Sequence, residues 1–297
     1  MTTKTTAPRR AAPQPVPTAL SRRAAVFKVL TRTLIGLIVV VQVYPLVWLF
    51  LTSMRTEQSF TEGNPFALPT SFSFANYSRA LAVGNLGKNI VNSFIVTLGA
   101  NILIVALGMM GAYALTVLGF KGSKIVRGIF LVGLIVPVQI ALVPLFVDYA
   151  STGVLDTYQS MIVPLAGFSL PMAIFLFSSF FGYISQETYD AASLDGAGPY
   201  RIFVSMIIPL SVNTILTVVL VNSIFIWNDF IFANTFVLSD GLKTIPLGLQ
   251  NYIGNMGKVD WTATFAAVCI TVTPLLLVFL VLNKAVVYGI ESGGNKG

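Results

Sequence analysis

The residues best suited to chemistry in this sequence lie between positions 185 and 210, and their chemistry is that of docking. The segment reads Ser185-Gln-Glu-Thr-Tyr-Asp190-Ala191-Ala192-Ser-Leu-Asp195-Gly196-Ala-Gly-Pro199 and continues to Pro209-Leu210. Residues 186–194 include good helix formers. Asp195-Gly196 is a turn signal, because glycine tolerates the positive φ that ends a helix. Pro199 suits the first turn of a second helix. The spacing therefore predicts helix, glycine turn, helix, lying parallel to a membrane. Ala191 and Ala192 give the first helix a narrow face for close approach to a partner, and Asp190 and Asp195 offer carboxylates to it. A solvated linker is the plain alternative, and it leaves the paired alanines and the glycine elbow without a purpose. Bond-making chemistry is scarce elsewhere. The chain has no histidine, which removes every His-based general base, catalytic triad and His-ligated metal site. Cys269 is the one cysteine, so neither an intrachain disulfide nor a multi-cysteine metal centre can form. No catalytic residue and no metal ligand is assigned.

The elements that carry this loop follow from the distribution of charge. Apolar residues make up 55% of the 297 and charged residues 10%, too few charges to clothe a soluble protein of this size. Six stretches carry none: 33–54, 89–120, 128–147, 157–186, 202–228 and 261–283. A membrane-spanning helix needs about 20 apolar residues, and two passes would need about 40. Each stretch is thus predicted to cross once, which makes an all-α integral membrane protein with six transmembrane helices. Gly108 and Ala112 in the second form a small-xxx-small pair that permits close helix contact. Pro137, Pro144, Pro164 and Pro171 fall in the third and fourth, where they signal either a water-lined path or ordinary kinks in a packed bundle.

Amides within the spans include Gln42, Asn92, Asn101, Gln139, Asn213 and Asn222. None is charged, which argues against a proton relay or voltage sensor. Amides both donate and accept, so Gln139, Asn213 and Asn222 are candidates to line a path for a neutral, hydroxyl-rich solute. The other reading is that the amides join helices to one another.

Thirteen of the 18 basic residues share one side of such a membrane. They are Lys4, Arg9, Arg10, Arg22, Arg23, Lys28, Arg32, Lys121, Lys124, Arg127, Arg201, Lys284 and Lys296. Arg55, Arg79, Lys88, Lys243 and Lys258 occupy the other side. Basic residues stay cytoplasmic, so both termini are expected inside. The net charge of +7 is then a matter of topology, with no basic face carrying stacking aromatics and no nucleic acid as partner. Residues 1–24 read as a basic, disordered cytoplasmic tail and 25–297 as the membrane domain, with the docking loop at 185–210 and a cytoplasmic tail at 284–297. The apolar segment at 33–54 is longer than a typical signal-peptide core and no cleavage site ends it. Two long outside loops, 55–88 and 229–260, could receive an extracellular partner. Gly84-Asn-Leu-Gly87-Lys88 and Gly254-Asn-Met-Gly257-Lys258 only imitate a phosphate loop, lacking its glycine spacing and the Ser or Thr after the lysine.

The docking loop resembles the EAA loop of ABC-importer permeases. Asp190, Ala191, Ala192, Gly196 and Pro209 stand at the motif's positions with its spacing intact; Asp190 replaces Glu, Met206 replaces Ile and Ile208 replaces Leu. The resemblance extends over about residues 30–297. It includes Asn76-Tyr77, Asn92-Ser93, Ala112-Tyr113-Ala114 with Phe120-Lys121-Gly122, Gly153-Val-Leu155-Asp156-Thr157, Trp227-Asn228 and the terminal Lys296-Gly297. Together these resemble the smaller permease subunit of maltose-type carbohydrate importers. The resemblance implies a type I importer fold and alternating access driven by ATP. It implies a second permease subunit as heterodimer partner, two ATP-binding subunits and an extracytoplasmic solute-binding protein, with membrane lipid around the spans. ATP and Mg would sit on the partner ATPases, and this chain would bind no cofactor. Asp190, Ala191, Ala192, Asp195, Gly196 and Pro209 would couple it to the ATPase. Three glycines in residues 291–297 disfavour helix, so the end reads either as a frayed terminus or as a tail whose Gly293, Gly294, Asn295, Lys296 and Gly297 reach the ATPase. The expected function is import of a sugar in a prokaryotic cell membrane. A permease for another solute, such as a glycerol phosphate ester, and a stand-alone secondary transporter are the alternatives. A phosphate would call for Arg or Lys in the path, and the spans hold none.

Overall fold

Backbone inside hydrocarbon has no water to bond, so it must satisfy itself, and this chain does so with helix. The computed structural model describes residues 19–64, 66–69, 71–83, 85–252 and 259–294, and every long element among them is helical. The chain divides into two units, residues 1–51 and 52–297. The first holds most of α1 (Ala19–Ser53), with Pro45 inside it. This helix begins at Ala19, ahead of the expected boundary at 25, so the end of the supposed disordered tail is helical; residues 1–18 lie outside the described residues.

The second unit carries the remaining elements. Two short helices, α2 (Glu57–Thr61) and α3 (Ala75–Val83), fill what the sequence suggested was a long loop. Then come α4 (Leu86–Tyr113), continuing as a π-helical turn at Ala114–Leu118, α5 (Ser123–Gly133), α6 (Gln139–Thr152) and α7 (Tyr158–Tyr183). After them come α8 (Gln186–Leu194), α9 (Pro199–Ile202), a second π-helical turn at Phe203–Ile207, α10 (Ile208–Leu210) and α11 (Val212–Trp227). Last are α12 (Ile231–Phe236), α13 (Ile245–Gly248), a 3₁₀ turn at Leu249–Tyr252 and α14 (Trp261–Gly294).

Four helices among the described residues are long and apolar enough to cross a membrane: Val26–Ser53, Leu86–Leu118, Tyr158–Tyr183 and Trp261–Val281. Pro199–Leu210 and Val212–Trp227 supply a fifth crossing if taken together, but they meet at 70°. The fifth apolar stretch is therefore sharply bent rather than one straight helix. Pro209 lies beside the bend, where it removes a helical N–H, and the Ser211 hydroxyl donates to the Ile207 carbonyl (2.6 Å). The third stretch, 128–147, also departs from a single helix. It is split between α5 and α6, and Pro137 stands in the break, where it can close no helical bond and disfavours helix in the residue before it. At the C-terminus α14 runs through Gly294, further than its glycine content suggested; Asn295, Lys296 and Gly297 lie outside the described residues.

The core of this unit is α4 against α7. Gly108 makes the approach possible: a Cβ there would lie 3.1 Å from the Ala173 Cβ and 3.5 Å from the Phe177 ring, and both neighbours are fully buried. Ala112, one turn on, is fully buried as well. Asn101 on α4 donates to the Ser223 hydroxyl on α11 (3.2 Å), and the Trp227 indole donates to the Thr271 carbonyl on α14 (3.1 Å).

The connections gather at two ends. At one, Asn92 donates to the carbonyls of Gly241 (3.0 Å) and Lys243 (2.9 Å) and accepts from the Tyr158 hydroxyl (2.7 Å). The Ile245 amide donates to the Ser93 hydroxyl (2.9 Å), and Arg79 reaches both Glu57 and Asp260 at 3.5 Å. Asp156, at φ 57, accepts from the amides of Leu238 (2.9 Å) and Ser239 (3.0 Å) and from the Ser239 hydroxyl (3.1 Å). At the other end the Tyr113 hydroxyl donates to the Pro199 carbonyl (2.9 Å), and Arg127 donates to the Leu115 carbonyl (2.9 Å). These bonds join 55–88, 148–156 and 229–260 to one another, and 119–127 and 184–201 to the helix ends beside them.

The Ser239 and Leu238 amides, with the Ser239 hydroxyl, hold the Asp156 carboxyl below the usual carboxylate range, outweighing the cost of its partial burial. A group with a depressed folded pKa stabilises fully above its unfolded pKa, and that contribution is lost as pH falls through the folded value. Hydrogen-exchange protection at Leu238 and Ser239 should therefore hold from pH 7 to pH 5 and fail only below about pH 4. Loss of protection between pH 7 and 5 would contradict this role for Asp156.

Candidate functional site

The docking segment folds as a compact elbow. Helix α8 ends at Leu194, Gly196 adopts φ 77, and the Ala197 amide closes the turn on the Ala192 carbonyl (3.0 Å). Pro199 then opens α9. Glycine is required at 196 because other side chains rarely adopt that φ. Two phenols pin the elbow to the body. Tyr189 on the inner face of α8 donates to the Phe181 carbonyl (3.3 Å), and Tyr113 at the end of α4 donates to the Pro199 carbonyl. The Tyr113 ring lies 5.1 Å from that of Phe203. Burial, with a smaller contribution from Tyr113, pushes the Tyr189 phenol up to about 12, so it remains a donor across the physiological range.

The outer face of α8 is unpartnered. Glu187, Asp190, Ala191 and Leu194 recur at helical spacing and all are exposed; the Gln186 amide steadies Asp190 (3.0 Å). Leu194 is 88% exposed, Tyr200 82% and Tyr183 79%, so three large apolar side chains surround the acidic elbow with nothing over them. Of the residues singled out from sequence, Asp190, Ala191, Asp195 and Gly196 lie on this surface. Ala192 does not: it turns inward against the core, on the side of Tyr189. Pro209 stands apart, exposed beside the 70° bend. Leu194, Tyr200 and Tyr183 were passed over, though a large apolar residue inside a polar loop is itself a signal of a covered surface.

The three path amides sit in different settings. Gln139 is exposed in the first turn of α6, and Asn213 is exposed at the start of α11. Asn222 is buried, and its amide is occupied by the Val218 carbonyl one turn back (2.8 Å). On one helix Asn213 and Asn222 stand about 14 Å apart at 1.5 Å per residue. Asn92 and Asn101 instead join segments to one another, as their bonds to Gly241, Lys243 and Ser223 show. Gly293 and Gly294 end α14.

A helical membrane protein is also what comparison with known proteins finds. Residues 104–291, which include the elbow, match the family described as binding-protein-dependent transport system inner membrane component. This chain belongs to that family. It is 31% identical to the diacetylchitobiose uptake system permease protein of Streptomyces coelicolor, over 90% of this chain and 88% of that one. It is 30% identical to the trehalose transport system permease protein of Mycobacterium tuberculosis, over 93% and 99%. A solved bacterial ABC transporter involved in the import of the acidic polysaccharide alginate shares its fold, with a TM-score of 0.77 at 21% identity over 91% of this chain and 99% of that one. As a member of this family the chain is a multi-pass membrane protein whose work is transport.

Tyr113→Phe removes the buried bond to Pro199, worth about 1 kcal/mol. Amide exchange over residues 196–202 should rise about fivefold in this variant, with exchange in α4 unchanged. Unchanged exchange at the elbow would show that Tyr113 does not hold it.

Proposed function

We propose that this chain is one of two pathway-forming permease subunits of an ATP-driven importer that carries a sugar into the cell. In this reading it crosses the membrane six times with both termini cytoplasmic, and α8 and α9 dock on an ATP-binding subunit. The observation that carries the proposal is the elbow: a rigid, exposed, acidic helix pinned from within by two phenols and rimmed by Leu194, Tyr200 and Tyr183. Such a surface fits a cleft on a partner and performs no chemistry itself. ATP and Mg belong to the partner subunits, and an extracytoplasmic binding protein supplies the solute to the opposite end. The sugar class is supported by the diacetylchitobiose and trehalose permease relatives and by spans free of charge. A phosphate ester would need a cation in the path.

The segregation of the connections supports this topology. Segments assigned outside bond to one another at one end, and those assigned inside meet at the other. Both broken spans keep the alternation: α5 with α6, and residues 202–210 with α11, each count as one crossing. ATP would close the partner dimer and draw the elbows together, shifting the population toward the outward-open state.

Single cysteines placed at Thr61 and Asp240 should react with an impermeant thiol reagent in intact cells, and one at Ser123 should not. Labelling of Ser123 from outside would overturn the topology. Gly196→Pro forces φ near −65° where 77° is needed, and Asp190→Lys reverses a docking charge. Both variants should insert normally and lose solute-stimulated ATP hydrolysis in the reconstituted complex by at least tenfold. A panel of sugars and phosphate esters, tested for thermal stabilisation of the co-purified binding protein, identifies the solute class. Full coupling in both variants would remove the docking assignment, and stabilisation by esters alone would remove the sugar.

A further inference from the structure

Between α5 and α7 lies a crevice of about 140 Å³, lined by Arg127, Phe130, Leu131, Ile174, Phe175 and Ser178 among others. Its walls are apolar, and Arg127 is the cation among its lining residues. The guanidinium donates through Nη2 to the Leu115 carbonyl (2.9 Å) and the Thr116 hydroxyl (3.3 Å), while its Nε is buried without a partner. The ion pairs of the described residues join Arg79 to Glu57 and Asp260, and Lys243 to Asp240, and leave Arg127 with no carboxylate. Ser178, nine-tenths buried, lines the same crevice and its hydroxyl has no partner, whereas the Ser179 hydroxyl is satisfied by the Phe175 carbonyl (2.9 Å). A partly buried cation with unmet donors is costly unless an anion meets it.

The surroundings specify that anion. Lys121, Lys124 and Arg127 recur every third residue, and no acidic residue occurs between Glu62 and Asp148. Arg127 is the last charge before the apolar stretch 128–147, which places its guanidinium where headgroups meet hydrocarbon. The lining side chains of Leu131 and Phe175 are 40% and 46% exposed, so the crevice opens among side chains suited to acyl chains. Its volume equals about four or five water molecules, room for a phosphate and the atoms next to it rather than for a whole lipid.

We propose that this crevice holds the phosphate of an anionic phospholipid. Arg127 and Ser178 donate to the phosphate oxygens, Lys121 and Lys124 favour headgroups of net negative charge, and the acyl chain lies along Phe130, Leu131 and Phe175. The site requires only that the chain lies in a membrane with Arg127 at headgroup depth, and it stands independently of the solute carried.

The test uses the full chain, with the subunits that co-purify with it, in phosphatidylcholine nanodiscs with and without added anionic phosphatidylglycerol. Phosphatidylglycerol should raise the melting temperature of the wild type, and native mass spectrometry should find it retained. Arg127→Gln should abolish both effects. That variant also loses the Leu115 bond, so Leu131→Trp, which fills the crevice and leaves Arg127 in place, is the second. Loss of the shift and of retained lipid in both variants supports the site. An equal shift in wild type and Leu131→Trp would make it a bulk-membrane effect and overturn the proposal. Reproduction of the shift by millimolar inorganic phosphate would assign the site to a soluble anion and also overturn it. A photo-crosslinker at Phe175 that captures the second permease instead of lipid would show the crevice to be a subunit contact.

Discussion

A backbone carbonyl buried in hydrocarbon has nothing but protein to bond, and several departures from regular helix in this chain lie beside a side chain that adds a donor. Where α4 ends in a π-helical turn, Arg127 reaches back to the Leu115 carbonyl. Beside Pro209 the Ser211 hydroxyl meets the Ile207 carbonyl. One turn before Pro274, the Trp227 indole donates to the Thr271 carbonyl. At the head of α9, whose first residue is Pro199, the carbonyl of that proline is met by Tyr113. At three of these places the donor comes from another element, and at the 70° bend it is Ser211 itself.

Charge was the most legible signal in the sequence. The charge-free stretches locate the apolar helices, and the Asp195-Gly196 and Pro199 signals locate the turn between α8 and α9, because both depend on local chemistry. The break at Pro137 and the 70° bend at Ser211 were not readable from composition, since a proline in an apolar stretch serves equally as a kink or a break. The fate of the amides was also hidden. Asn92 is spent on carbonyls some 150 positions away, and periodicity carries no information about such a pairing. Ala192 illustrates a finer limit. Its neighbour Ala191 faces out, and only the position of Tyr189 on the inner face decides between them.

The two ends of the second unit are built to different standards of rigidity. One is laced by Asp156, Asn92, Ser93 and Arg79, each reaching a segment far away in the chain. The other offers the elbow, in which Tyr189 is the buried residue of α8 and two phenolic bonds supply the anchorage. Local stability follows the density of buried contacts, so the elbow belongs to the less protected part of the molecule. A surface that must transmit motion gains from that arrangement: it is compact within itself, through its glycine turn, and held to its base at two points.

The long reach of the bonds at the laced end has a consequence for how the molecule is made. Arg79 finds the Thr262 hydroxyl 183 residues downstream, and the Tyr252 hydroxyl finds the Ala80 carbonyl across 172. At a ribosomal rate of about 5–20 residues per second, on the order of ten to forty seconds separate the emergence of these partners. During that interval Arg79 has only its nearer partners Glu57 and Asn76, and the carbonyl of Ala80 must be served by water or by the insertion machinery. Delivery of α14 thus seals this end, and a nascent subunit lacking it carries an open, polar seam by which cellular quality control can tell it from a folded one.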